Sequence, residues 1–229
     1  MLLAIDTATR LASIALYDGD GVHGEATWRA RENHTVELLA QIARLVGLAR
    51  VAKGNVRAIA VALGPGSFTG LRVGLSVAKG LAFGGQVALL GIPTLDALAL
   101  AHSFQPLPIW ALIAAGRGRY SVACYSAKRG AIRRSGDYAL VNAQGLADLA
   151  ERAMDGAERR RPARALFCGE MDATLSQTLA DRLGSRAVIA LPAMNVRRAS
   201  FLAELAWARF ARGEADDTAS LAPMYTPHV

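Results

Sequence analysis

A glycine-rich segment joins an apolar run to a long run with helical spacing, and it has residue types that can hold phosphate. It reads Gly64-Pro65-Gly66-Ser67-Phe68-Thr69-Gly70-Leu71-Arg72-Val73-Gly74. Main-chain amides at the start of a helix attract anions, and Ser67 or Thr69 has a hydroxyl that can cap such amides. The spacing fails as a P-loop, because Thr69 and Gly70 stand where that motif has Gly and Lys. Phosphate binding by the amides near Gly66 and Ser67 stays one open interpretation.

Residues that could bind a metal or act as a nucleophile are scattered along the chain. The histidines are isolated from one another: His23, His34, His102 and His228. No acidic residue at helical spacing completes a familiar metal site with His34. Cys124 and Cys168 lie far apart in apolar runs, which favours buried thiols in a reducing cytosol. We therefore predict no metal site and no independent catalytic site.

The glycine-rich segment continues into a helix that is unusually rich in glycine. Gly70, Gly74, Gly80 and Gly84 each cost about 1 kcal/mol relative to alanine in a helix interior. Close packing against another backbone would compensate for this cost. From the physics alone that backbone is more often an internal neighbour than another chain.

Local periodicity predicts an α/β chain with two related lobes. Residues 2–28 read as three strands, followed by a helix from Thr35 to Val51 with apolar positions three and four residues apart. The alternation then becomes strand, helix, strand, and it resembles ribonuclease H. Beyond Pro106 and Pro108 a second, weaker copy follows, with strands at 109–114, 120–125, 131–134, 165–168 and 187–190 and helices at 143–154, 171–183 and 199–212.

Composition and charge limit the class of protein without specifying a function. We divide the chain into lobes at 1–103 and 104–229, with a final helix that is free to pack back on the first lobe. The chain has 52% hydrophobic residues, no long uninterrupted apolar run and no apparent secretory signal, so we expect a folded cytoplasmic protein and no membrane partner. Its net charge of +7 assists association with nucleic acid or an acidic partner but specifies no site. The run Arg159-Arg160-Arg161-Pro162, with Arg164 nearby, is assigned no function because charged loops are mostly solvated.

Several blocks of the sequence resemble the TsaB family, also called YeaZ, over nearly the whole length. The match is carried by Leu3-Ala4-Ile5-Asp6-Thr7-Ala8-Thr9, by Glu32-Asn33-His34-Thr35, by Gly64–Arg72, by Ala78-Lys79-Gly80-Leu81-Ala82 and by Gly91-Ile92-Pro93-Thr94-Leu95. The block at Gly64–Arg72 is highly specific. Two departures from the family pattern are Ala114-Ala115-Gly116, where many relatives have Asp-Ala-Arg, and Thr226-Pro227 near the end, where Leu-Arg is usual.

The resemblance implies two ribonuclease-H-like lobes of the actin, heat-shock and sugar-kinase (ASKHA) superfamily. It also implies an accessory subunit of the bacterial tRNA threonylcarbamoyladenosine synthase complex. Such a subunit binds the catalytic paralogue TsaD together with the TsaE ATPase and meets tRNA through the complex, while ATP is used by the complex and bound weakly or not at all by this chain. The alternatives are a small ATP-binding phosphohydrolase or kinase-like enzyme, and a glycoprotease of the peptidase M22 type.

The superfamily analogy also marks a vestigial nucleotide site, comprising Asp6, Thr7, Thr9, Gly66 and Ser67. The competing interpretation is that Asp6 and Thr7 end a strand by hydrogen-bonding to local backbone, and we favour it because one short acidic motif is weak evidence.

Relatives use the helices of the first lobe to meet TsaD, or to form a homodimer when alone. The implied interface residues here are Leu38, Ile42, Gly70, Leu71, Val73, Gly74 and Val77. On this interpretation Gly74→Arg blocks association and leaves the lobe folded.

Overall fold

The structure is a computed structural model that describes residues 1–30, 34–155 and 164–226. Glu32, Asn33, Arg159-Arg160-Arg161-Pro162, Pro227 and His228 lie outside the described residues. The chain forms two compact units. One comprises Met1–Ala97 with Arg197–Tyr225, and the other comprises Leu98–Val196 with Thr226.

The first unit is built on a mixed five-stranded sheet with the order β3-β2-β1-β4-β5. β1, β2 and β3 form an antiparallel meander, and β4 and β5 add in parallel to β1. The strands are β1 Leu2–Asp6, β2 Leu11–Asp18, β3 Gly21–Arg29, β4 Ala58–Gly64 and β5 Ala88–Pro93, and the helices are α1 His34–Leu48, α2 Phe68–Gly85 and α3 Thr94–Leu100, the last of which crosses the division at Ala97.

Both faces of this sheet are covered, so that every residue of β1 and β4 is buried. Leu3 and Ile5 point to a core shared with α1 and α2, whereas Leu2 and Ala4 point to a core formed with α6 (Ala199–Phe210). The final helix therefore belongs to the first unit. This unit is discontinuous in sequence, whereas the division expected from the sequence has two continuous lobes, 1–103 and 104–229.

A hydrogen bond connects α6 to the meander through Tyr17, whose hydroxyl donates to Glu204. Burial raises the pKa of Tyr17 to about 12, and the hydrogen bond to Glu204 adds to the shift. Tyr17 therefore stays protonated and can keep donating at any physiological pH.

The segment after α6 covers the edge of the sheet at β5. The amide of Asp216 donates to the Leu89 carbonyl at 2.8 Å, and its carboxylate accepts from the Gly91 amide at 2.7 Å. Arg209 holds the same carboxylate at 2.8 Å. Burial disfavours the charge on Asp216, but the hydrogen bonds from Arg209 and Gly91 outweigh it and lower the pKa of Asp216. This edge strand is thus protected from pairing with another chain.

The second unit repeats the same plan, with the order β10-β9-β6-β7-β8. β6, β7 and β8 form the antiparallel meander, and β9 and β10 add in parallel to β6. The strands are β6 Ile109–Gly116, β7 Arg119–Lys128, β8 Ala131–Asn142, β9 Ala165–Gly169 and β10 Ala187–Ile189, and the helices are α4 Ala143–Asp155 and α5 Ala173–Leu183. Two successive copies of one topology confirm the α/β fold expected from the sequence.

A buried histidine in the second unit is expected to make the stability of this unit sensitive to acid. Burial lowers the pKa of His102, and a hydrogen bond with the Met194 backbone opposes the shift only in part. Among the described residues the Nε2 atom of His102 has no hydrogen-bond partner.

His102 takes up a proton near pH 6.5 in the unfolded chain but only at lower pH in the folded chain. The free energy of unfolding is therefore unaffected by this group above pH 6.5. Below that pH we expect the free energy of unfolding to fall by up to about 1.4 kcal/mol per pH unit, until the lowered pKa is passed. Urea unfolding between pH 7.5 and 5.5 measures the slope, and His102→Gln should flatten it. A variant with the full wild-type slope would assign the effect elsewhere.

Candidate functional site

The glycine-rich junction lies where β4 ends and α2 begins, directly beside the end of β1. The amide of Ser67 donates to the Ala8 carbonyl at 2.6 Å, and the Ser67 hydroxyl accepts from the Gly70 amide at 3.3 Å as the cap of α2. A Cβ atom on Gly66 would overlap with the Ala8 carbonyl, so only glycine permits this approach. The Ser67 amide that an anion would need is therefore already engaged.

The acidic residue at the end of β1 is buried and fully engaged. Asp6 is 2% exposed, and its Oδ1 atom accepts from the Ala8 amide at 2.8 Å. Its Oδ2 atom accepts from Nε of Arg197, which is 4% exposed, at 3.1 Å. Arg197 also donates to the Thr9 hydroxyl at 2.7 Å and to the Leu11 carbonyl at 2.8 Å. A buried carboxylate is thus neutralised and hydrogen-bonded on both oxygens.

The five residues considered as a nucleotide site do come together, but the polar groups of Asp6, Thr7, Thr9 and Ser67 bond with the protein itself. Thr7 donates through its hydroxyl to the Gly70 carbonyl at 2.7 Å, and Thr9 accepts from Arg197. The Asp6 contact with Ala8 agrees with the interpretation that Asp6 ends the strand by bonding to local backbone. As folded, this cluster is a structural joint among β1, α2 and the segment before α6.

Arg197 was not among the residues predicted to matter. The available signal was the pair Arg197-Arg198 immediately before an apolar helix, since an arginine at the entry to a buried helix requires an acidic partner. Nothing local indicates which acid is the partner, because Asp6 is 191 positions away.

The glycines at positions 70 and 74 pack inside the first unit, and the interpretation that they leave room for a partner chain is corrected here. A Cβ atom on Gly70 would overlap with the Thr7 carbonyl, and one on Gly74 would overlap with the Thr7 hydroxyl. Gly74→Arg would force a long charged side chain into this contact. We therefore expect it to disrupt the lobe, contrary to the expectation from sequence.

Three other residues of the expected interface are also buried. Leu38, Ile42 and Leu71 belong to the two cores of the first unit, so they support the surface from beneath and do not form it. Val73 and Val77 are half-buried on α2. The outer side of α2 around them forms a depression of about 430 Å³, lined by Phe68, Thr69, Arg72, Val73, Ser76 and Val77.

Aromatic and cationic side chains border this depression at the start of α2. The guanidinium of Arg72 lies 3.7 Å from the centre of the exposed Phe68 ring, and Phe68 stacks on Tyr225 with ring centres 5.7 Å apart. The Met224 amide donates to the Leu63 carbonyl at 2.7 Å and holds the C-terminal segment at this junction. The surface is therefore preorganised, with an exposed apolar ring at one end.

Other chemically capable groups are sparse in the described parts of the chain. No group of three or more His, Cys, Asp or Glu side chains among residues 1–30, 34–155 and 164–226 could hold a metal ion. Burial raises the pKa of Cys124 to about 11 and that of Cys168 further, which disfavours both thiolates. In the same ranges no helix has the length and apolar character needed to cross a bilayer.

Comparison with known proteins places these features in a family. A family model for TsaD, tRNA N6-adenosine threonylcarbamoyltransferase, matches residues 9–228. The Bacillus subtilis tRNA threonylcarbamoyladenosine biosynthesis protein TsaB is 32% identical over 98% of this chain and 93% of its own length. This chain belongs to the TsaB family. The match to the Escherichia coli TsaB protein is 37% identical but spans only 43% of this chain and 42% of that relative.

Solved structures agree with this membership of the TsaB family. YeaZ from Pseudomonas aeruginosa has a TM-score of 0.77 and 28% identity, covering 98% of both chains. A ROK hexokinase from Thermus thermophilus has a TM-score of 0.51 at 12% identity, covering 90% of this chain and 98% of its own, and that likeness concerns the fold alone. The chain thus shares its fold with a sugar kinase, as the family resemblance implied.

Proposed function

We propose that this chain is the non-catalytic partner subunit of a tRNA threonylcarbamoyladenosine synthase complex, and that it binds a TsaD-type transferase together with a TsaE-type ATPase in the cytoplasm. Two findings support the proposal: membership of a family whose members are named for this biosynthesis, and the engagement of Asp6 by Arg197. The alternative of an ATP-binding enzyme needs Asp6 free to face a metal and nucleotide. Here both of its oxygens are bonded to protein, which disfavours that alternative.

The observation that carries the partner assignment is a stripe of small and apolar residues along the outer side of α2. Val73, Val77, Gly80 and Gly84 lie four, three and four positions apart, so they share one face of the helix. A Cβ atom at Gly80 or Gly84 would meet nothing within 4 Å. Internal packing therefore does not require glycine at either position, and each costs about 1 kcal/mol relative to alanine. The close approach of another backbone would account for both.

Helix α1 packs beside α2 and extends the same kind of surface. Leu39, Ala43 and Gly47 are exposed at spacings of four, and a Cβ atom on Gly47 would meet nothing within 4 Å. Phe83 at the end of α2 is 82% exposed. A large exposed apolar side chain beside small residues on two adjacent helices is typical of a helix-packing interface. We assign the TsaD-type partner to this face, and a second copy of the chain to it when that partner is absent.

The experiment compares Gly80→Arg with Gly80→Ala. The arginine should abolish both self-association and the complex with the TsaD-type protein of the same organism, because its bulk holds the partner helix away. The alanine adds only one methyl group to this contact, so it should weaken association far less than the arginine does. Both variants should keep the wild-type circular dichroism because position 80 faces open space. Size exclusion with light scattering measures assembly, and reconstituted transfer of threonylcarbamoyl to tRNA should be lost in parallel. A folded Gly80→Arg protein that assembles normally would remove this face from the interface.

A further inference from the structure

The hairpin formed by β7 and β8 concentrates positive charge at the outer edge of the second unit. Residues 128 to 137 contain four cations, Lys128, Arg129, Arg133 and Arg134, against the single acid Asp137. All five are exposed. A region of ten residues with this imbalance creates a local positive potential that attracts anionic polymers.

Strand register places these cations together. Lys128 pairs with Ala131 and Ser126 pairs with Arg133, so Lys128 and Arg133 are near neighbours on one face of the hairpin. The turn between the strands is tight, with φ of 52° at Arg129 and 84° at Gly130. Ile109 pairs with both Tyr125 and Leu166, and therefore the start of β9, with the exposed Arg164 just before it, lies at the same end of the sheet.

An exposed aromatic ring adjoins the turn. Phe104 is 90% exposed, and its ring would be within 2.9 Å of a Cβ atom added to Gly130. On the other side of the hairpin, the Arg134 guanidinium lies 4.1 Å from the centre of the Tyr138 ring. An exposed phenyl ring has no internal packing to explain it, whereas a ring beside arginines is what unpaired nucleobases stack on.

Apart from Asp137 of the hairpin itself, two nearby acids are already paired. Asp155 at the end of α4 binds Arg186 at 2.8 Å, and Glu151 binds both Arg186 and Arg182. These carboxylates do not neutralise the hairpin, whose Lys128, Arg129 and Arg133 make no ion pair with the described residues.

We propose that this end of the second unit, comprising Phe104, Lys128, Arg129, Arg133 and Arg164, binds an unpaired loop of the tRNA substrate. The cations contact its phosphates, and Phe104 stacks on one of its bases. Such a site recognises single-stranded RNA, because a paired base has no free face for the ring. The inference rests on the proposed function for the identity of the RNA, but the site itself lies on the unit that does not contain the α1–α2 surface.

The test measures binding of an unmodified tRNA transcript to the full chain over a range of salt concentrations. Replacing Lys128, Arg129 and Arg133 together by Gln should reduce the magnitude of the slope of log affinity against log salt by roughly 2. Each phosphate contact with a single strand contributes about 0.7 to that slope. Phe104→Ala should weaken binding about tenfold with the slope unchanged, as expected for loss of one stacked base. The matched control replaces Arg10, Arg29 and Arg50 by Gln, which removes the same charge from exposed positions of the first unit.

Equal loss of affinity in the control triple variant would show that net charge alone attracts tRNA and would overturn the proposal. Unchanged binding in either the hairpin variant or Phe104→Ala would also overturn it, as would hairpin-dependent binding to anionic phospholipid vesicles with none to tRNA. Assembly with the TsaD-type protein is measured on the same samples. If the wild-type chain assembles and supports transfer but the hairpin variants bind tRNA normally, only this inference is rejected. If the wild-type chain does not assemble with the TsaD-type protein, the proposed function is rejected.

Discussion

Replacement of Gly74 by alanine is expected to lower the free energy of unfolding of the first unit by about 3 kcal/mol. The added Cβ would overlap with the Thr7 hydroxyl, and Ile5 lies on the same side. Thr7 cannot simply rotate away, because its hydroxyl donates to the Gly70 carbonyl one helical turn earlier. The methyl group must therefore push α2 away from β1 or break that hydrogen bond.

The matched control is Gly80→Ala, six positions further along the same helix. Its Cβ meets nothing within 4 Å, so the substitution should raise the free energy of unfolding by up to about 1 kcal/mol through helix propensity alone. Urea denaturation followed by circular dichroism measures both variants. Equal stability of the two proteins would mean that α2 does not approach Thr7 as closely as described.

Replacement of Arg197 by methionine is expected to cost about 3–5 kcal/mol, the usual effect of leaving a buried carboxylate without its cation. Methionine keeps much of the side-chain volume, so the loss reports on charge and hydrogen bonds more than on a cavity. Asp6, Thr9 and the Leu11 carbonyl would each lose a donor in a region closed to water. Chemical denaturation at pH 7 measures the change.

Two further variants test the cause of that loss. Arg198→Met removes the neighbouring arginine, whose side chain is 51% exposed and pairs with Glu25, and it should cost under about 1 kcal/mol. Asp6→Asn combined with Arg197→Met removes the orphaned charge and should recover part of the stability. A double variant no more stable than Arg197→Met would show that the pair does not interact as the structure describes.

In our proposal, Arg197 also explains how this fold serves without catalysis. Asp6 lies at the end of the first strand, and the cation that faces it comes from the protein. This pair fixes the segment that leads into α6, whose residues Ala199 and Leu202 pack against the sheet face carrying Leu2 and Ala4. In our proposal Asp6 therefore joins distant parts of one lobe and does not bind a ligand.

The order of strands and helices was predictable from the sequence alone, because apolar periodicity is a local property. Alternation in residues 11–17 and the three- and four-residue spacing after Thr35 indicated β2 and α1, which the structure confirms within a few residues. The specific block at Gly64–Arg72 indicated the family, and Ser67 is the helix cap that its position suggested. The short helix α3 and the extension of β8 to Asn142 were missed, because neither has a clear period over enough residues.

Only the tertiary structure decided which glycines of α2 face inward and which face outward. Gly70, Gly74, Gly80 and Gly84 are alike in sequence, and helical spacing alone cannot say which side of a helix a sheet will cover. Contact with Thr7 places the first two inside, while the open space around the last two places them outside. The partner of Arg197 likewise depended on folding, since Asp6 and Arg197 are brought together only when α6 returns to the sheet. Periodicity specifies the elements, but the choice among equivalent faces and distant ion pairs requires the whole chain to be packed.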